Sequence, residues 1–144
     1  MVSCIILSRY QQGLNPTAQG RQKIAGGPLY PACDVMPLLT PERITAWTRG
    51  CIQDLQKWSM DMEDVAALLK LALLEGRYQD SEWCKQKPDG AWAACDAYVV
   101  VERRLNEAVG QYLNTEFYLK FAINKTGQVI LKIMTAVFLL SVVR

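Results

Sequence analysis

The feature that most constrains this chain is a change of apolar period at Gly76. Before it, Ile44, Trp47, Cys51, Leu55 and Trp58 recur at three- and four-residue steps, followed by Val65, Leu68, Leu69, Ala72 and Leu73. That spacing lines one face of a helix. After it, Phe117, Leu119, Phe121 and Ile123 alternate with Glu116, Tyr118 and Lys120. A two-residue period belongs to a strand with one buried face. A chain of 144 residues has room for a single core in which helices and a sheet meet. The expected fold class is α+β, with two N-terminal helices packed on a small antiparallel sheet.

Local signals set the expected boundaries. Thr40 can cap a first helix over 40–58, with Pro41 at its first position and Glu42 at its positive end. Asp61 can cap a second helix, with Glu63 and Asp64 in its first turn, and Gly76 is expected to end it in the left-handed conformation. Strands are expected over 79–85, 91–103 and 116–124, with a fourth starting at 128. Gln86-Lys87-Pro88-Asp89-Gly90 and Asn124-Lys125-Thr126-Gly127 supply turns, and 105–113 reads as a loop with one helical turn. Residues 1–38 carry glycines and prolines without a period. They are expected as a poorly ordered leader before a single domain over 39–144, with Met36 a candidate natural start. The competing reading packs Cys4-Ile5-Ile6-Leu7 as an N-terminal strand.

Charge and composition remove several chemistries. The net charge is +2, so there is no whole-domain basic field, and nucleic-acid contact would have to be local. The chain has no histidine, which excludes Ser-His-Asp and Cys-His nucleophile pairs and imidazole zinc sites. The cluster Asp61, Glu63 and Asp64 is explained by a helix start, so no metal and no cofactor is expected. Five cysteines without a CxxC pair read as reduced thiols of a cytoplasmic protein, although Cys84 and Cys95 could face one another across strands. The apolar run 133–143 is about half the length a membrane span needs, so a buried strand or amphipathic tail is expected and no stable membrane insertion.

Three segments carry a family resemblance. Ser81-Glu82-Trp83-Cys84-Lys85, then Ala91-Trp92 with Asp96-Ala97-Tyr98, then Phe117-Tyr118-Leu119-Lys120-Phe121-Ala122-Ile123 follow two helical patterns in that order. Over residues 40–132 this resembles the RelE/ParE-type toxins, and most closely the MqsR branch of toxin–antitoxin ribonucleases. The resemblance implies a metal-independent endoribonuclease that cleaves mRNA and is masked by an antitoxin. The position of that family's catalytic Gln falls near Ala93 or Cys95, and its last-strand Lys falls near Thr135 unless Lys132 substitutes.

Cleavage at a 2′-hydroxyl needs a proton acceptor, cations around the phosphate and a proton donor for the 5′-oxygen. The expected catalytic residues are Lys85, Tyr118 and Lys120, with Lys85 stabilising the phosphate and Tyr118 as acid or base. Trp83 and Trp92 are expected as stacking platforms for bases, and Arg103 and Lys132 as phosphate contacts. The rival reading is a non-enzymatic phage or mobile-element protein that binds and inhibits a host protein complex. Its contact surface would be the apolar tail or the face carrying Trp83 and Trp92.

Overall fold

A computed structural model describes residues 4–18 and 21–139. It contains strands β1 (Gln22–Ile24), β2 (Ile44–Ala46), β3 (Arg77–Lys85), β4 (Trp92–Asn106), β5 (Gln111–Ile123) and β6 (Val129–Phe138). These form one six-stranded sheet in the order β1-β3-β4-β5-β6-β2. Helices α1 (Ala32–Val35), α2 (Arg49–Lys57) and α3 (Met62–Glu75) complete the described elements, with 3-10 turns at Met36–Leu38 and Pro41–Arg43. The expected pair of N-terminal helices on a small antiparallel sheet is overturned. The sheet is larger and mixed, because β2 runs parallel to β6, and strands at both of its edges precede the two longer helices. Three-residue edge strands are too short to show a period, so neither leaves a signal in the sequence.

The helix expected over 40–58 is cut to α2 for a local reason. Ile44 and Thr45 are β-branched and favour extended backbone. They pair with Val129 and Ile130, and the Trp47 amide donates to the Leu131 carbonyl at 2.8 Å. Thr48 then starts the helix, its hydroxyl accepting from the Cys51 amide at 3.1 Å. α3 begins as its sequence indicates. Asp61 accepts from the Asp64 amide at 2.8 Å, and Asp64 accepts from the Asp61 amide at 3.1 Å.

Gly76 follows α3 in extended, not left-handed, backbone at φ −82°. Glycine is required there by close approach, since a Cβ would lie 2.5 Å from the Ala72 carbonyl oxygen and 2.7 Å from that of Val99. The loop expected over 105–113 is instead the tip of a long hairpin, paired down to Asn106 opposite Gln111. Side chains near the tip are half-exposed or exposed on both faces, so no amphipathic alternation betrays the strands.

Phe117, Leu119, Phe121, Leu131 and Met134 are fully buried and form the centre of the core. The Trp58 ring packs 6.0 Å from Phe117 and 5.1 Å from Phe138, while Tyr98 stacks 6.0 Å from Phe121. The segment before residue 39 joins this core where it is described. Asp96, wholly buried, accepts from the amides of Leu29 at 3.0 Å and Tyr30 at 3.1 Å and from the Ser81 hydroxyl at 2.5 Å. The Leu7 amide donates to the Trp92 carbonyl at 2.8 Å, and Ser8 is buried with its hydroxyl accepting from the Ala94 amide at 3.0 Å.

One distortion positions the site. Between Lys120 and Phe121 the β6 partner jumps from Ile133 to Leu131, so Lys132 is the extra residue of a bulge. Bulges add local twist. The Lys132 ammonium donates to the Lys85 carbonyl at 2.6 Å, and the Gln86 amide donates to the Trp47 carbonyl at 2.8 Å. In a flat sheet β3 and β6 would lie about 14 Å apart with β4 and β5 between them. These side-chain bridges therefore require the sheet to curl, which makes one face concave.

Candidate functional site

The concave face is set by register. Glu82 on β3 lies opposite Cys95 on β4, and Lys120 on β5 lies opposite Ala97. Cys95 and Ala97 are two residues apart on one strand, so Glu82 and Lys120 point to the same side. The Lys120 ammonium, 1 % exposed, donates to Glu82 Oε1 in a buried ion pair. Arg21 donates to the same oxygen at 2.9 Å. Lys23 lies 3.2 Å from Glu82 Oε2, outside hydrogen-bond geometry, and bonds Asp80 at 2.5 Å. Burial pushes the Glu82 carboxyl up, but Lys120 and Lys23 outweigh it and hold the group below its ordinary value. Burial likewise works against the Lys120 ammonium, and the Glu82 bond outweighs it and raises the lysine.

Above this pair opens a concavity of about 540 Å³, lined by Arg21, Lys85, Lys120, Lys132, Trp92 and Cys84, with Glu82 as its single carboxylate. Four cations against one carboxylate leave a surplus of positive charge, which suits a phosphate-bearing ligand. Lys85 is exposed, and its ammonium sits 4.9 Å from the centre of the Trp92 ring. Lys132 reaches the rim from its bulge, and Trp92 is half-buried.

The expected site residues separate into groups. Lys85, Lys120, Lys132, Trp83 and Trp92 all border the concavity. Trp83 is 5 % exposed and packs 6.2 Å from Tyr10, so it offers no stacking face. Lys120 is there, but its ammonium is engaged by Glu82. Tyr118 lies just outside the lining, its ring 5.7 Å from the Lys120 ammonium. Arg103 is exposed at the far end of β4 from Trp92, roughly 35 Å away along an extended strand. It does not join this site.

Three residues of the site escaped the sequence reading. Glu82 carried little signal, as one of two acidic residues in the largely polar strand Arg77–Lys85. Arg21 carried none, because nothing local ties residues 21–24 to β3. Cys84 reads as an ordinary core thiol until the curl places it on the floor of the concavity. Among the described residues no cluster of three or more Cys, Asp or Glu could hold a metal ion. Among the same residues no helix is long and apolar enough to cross a membrane. No known protein family, curated protein or solved structure matches this chain.

Proposed function

We propose that this protein binds single-stranded RNA in the concavity and acts on it as a metal-independent endoribonuclease. The observation that carries the reading is the convergence of Arg21, Lys85, Lys120 and Lys132 beside the half-buried Trp92. Lys85 and Lys132 meet phosphate oxygens, and Trp92 stacks a base whose identity stacking alone does not select. In the cleavage step the 2′-oxygen bonds to phosphorus and the 5′-oxygen leaves. The products are a 2′,3′-cyclic phosphate and a 5′-hydroxyl. Lys85 stabilises the added negative charge of the pentacoordinate phosphorus and solvent exchanges the protons, since Tyr118, opposite Val99 while Lys85 is opposite Trp92, stands about 23 Å farther along the sheet. Lys120 acts one step back, as the buried countercharge that keeps Glu82 folded into the floor. An antitoxin that covers the concavity would silence the activity.

The test is incubation of the full chain with a short unstructured RNA in EDTA, with the ends of the fragments identified. Cyclic phosphate ends that disappear in Lys85→Ala and persist in Tyr118→Phe support the reading. Salt-dependent binding without cleavage keeps the RNA site and removes the ribonuclease.

A second reading is favoured by a separate observation. Val101, Leu105, Val109, Tyr112, Val137 and Phe138 are all exposed and lie toward one end of the long hairpin and of β6. A cluster of this kind suits a protein partner, as in an inhibitor of a host complex. Absence of any RNA binding would move the assignment there.

A further inference from the structure

The concavity has a nucleophilic group that RNA binding does not use. Cys84 lines its floor, and Cys95 lies diagonally across from it, since Cys84 pairs with Ala93 and Cys95 with Glu82. Alternation along β4 gives Ala93 and Cys95 the same face, so both sulfurs point into the concave side. The Cys84 thiol donates to the Glu82 carbonyl at 3.8 Å and the Cys95 thiol to the Ala93 carbonyl at 3.7 Å, and the charged groups acting on Cys84 are Lys120, Lys132 and Glu82. Cys84 is 6 % exposed at the pocket surface, whereas Cys95 is wholly buried behind it.

We propose that Cys84 and Cys95 form a peroxide-sensitive thiol pair, a modification site on the floor of the concavity with Cys84 attacking and Cys95 resolving. In the first step the Cys84 thiolate attacks one oxygen of hydrogen peroxide and the O–O bond breaks. The sulfur becomes a sulfenic acid and the other oxygen leaves as water after taking a proton. In the second step the Cys95 sulfur bonds to the Cys84 sulfur. The sulfenic oxygen leaves as a second water with the Cys95 proton. Two thiols are oxidised to one disulfide and one peroxide is reduced to two waters.

The environment supports this order of attack. The neighbouring Cys95 thiol and the two lysines outweigh burial and hold the Cys84 thiol below its ordinary value, while burial holds Cys95 well above. Cys51, buried in the helical layer, is pushed up to about 12. The more acidic thiol at the pocket surface puts Cys84 ahead of the buried Cys51 in reaction with peroxide. Diagonal cross-strand positions sit roughly 7–8 Å apart at Cα, beyond the usual span of a disulfide, so the two strands must shift together to close the bond, and the strained bond should reduce readily.

The experiment oxidises the native full chain with hydrogen peroxide and maps the cysteines by peptide mass. It needs no RNA, so its outcome is independent of the ribonuclease reading. Cys4 and Cys33 are exposed and are replaced by serine to silence them. The expected result is loss of two hydrogens in a linked Cys84–Cys95 peptide, reversed by a phosphine. A Cys95→Ser chain should instead accumulate a dimedone adduct at Cys84. The proposal is overturned if Cys84 and Cys95 stay reduced while Cys51 oxidises. It is also overturned if the native chain stays unmodified under peroxide that oxidises the denatured chain.

Discussion

Replacing Glu82 with Gln should destabilise the protein far more than its single position suggests. The substitution keeps the shape and removes the charge, leaving the Lys120 ammonium 1 % exposed without its carboxylate. Stranding one partner of a buried ion pair typically costs about 3–5 kcal/mol. The reverse substitution, Lys120→Met, should cost less, about 2–3 kcal/mol by the same reasoning, because Glu82 keeps Arg21 and Lys23. Those two side chains are 69 % and 52 % exposed, so solvent screens them and they replace Lys120 only in part. The double variant Glu82→Gln/Lys120→Met strands nothing and should recover to within about 1–2 kcal/mol of the wild type.

Urea unfolding of the four proteins measures this cycle directly, with equal m-values as the check on two-state behaviour. The pH course adds an independent sign. Glu82 titrates below its ordinary value, so its contribution is complete above the unfolded carboxylate pKa and disappears as pH falls through the folded one. Lys120 titrates above its ordinary value, so its share is complete below the unfolded lysine pKa and disappears as pH rises through the folded one. The wild-type advantage should be full near neutral pH and shrink on the acid side, and against Glu82→Gln it should also shrink as pH rises, because burial without the carboxylate favours the neutral lysine. Single substitutions costing under about 1 kcal/mol each, or adding without coupling in the double variant, would refute the buried pair as the organiser of the concave face.

Other consequences follow from the same geometry. Lys85→Ala and Lys132→Ala should each reduce the salt dependence of RNA binding by about one counterion, read from the slope of log affinity against log salt. Lys85→Ala should leave stability within about 0.5 kcal/mol, since the side chain is exposed. Arg103→Ala should change neither slope nor affinity, because it lies at the other end of β4, and an equal loss would move the RNA site to the hairpin. Gly76→Ala should cost about 1–3 kcal/mol in unfolding, because its Cβ would press on the Ala72 and Val99 carbonyl oxygens, and a neutral result would deny that close approach.

The elements legible in advance were those whose signal is local. The Asp61 capping box works within four residues, and the strands from 79 and from 116 announce themselves by alternation and turn chemistry. The residues of the candidate site were partly legible for a similar reason. Lys85, Trp92 and Lys132 stand beside aromatic or apolar strand positions, and the structure gathers them around one concavity. Arg103 shows the limit of that reading, since a basic pair on a strand says nothing of which end of the sheet it occupies.

The sequence by itself determined that the chain changes from helix to strand at Gly76 and that no histidine is present to take part in any site. Tertiary structure alone decided the rest. β1 and β2 are three residues each, and they are strands only because β3 and β6 offer open edges to residues far away in the chain. The same long-range pairing inserts Lys132 as a bulge, curls the sheet and brings Lys120 onto Glu82. Whether a lysine is a solvated side chain or the buried floor of a site depends on curvature. Curvature is a property of paired strands, not of any window of sequence.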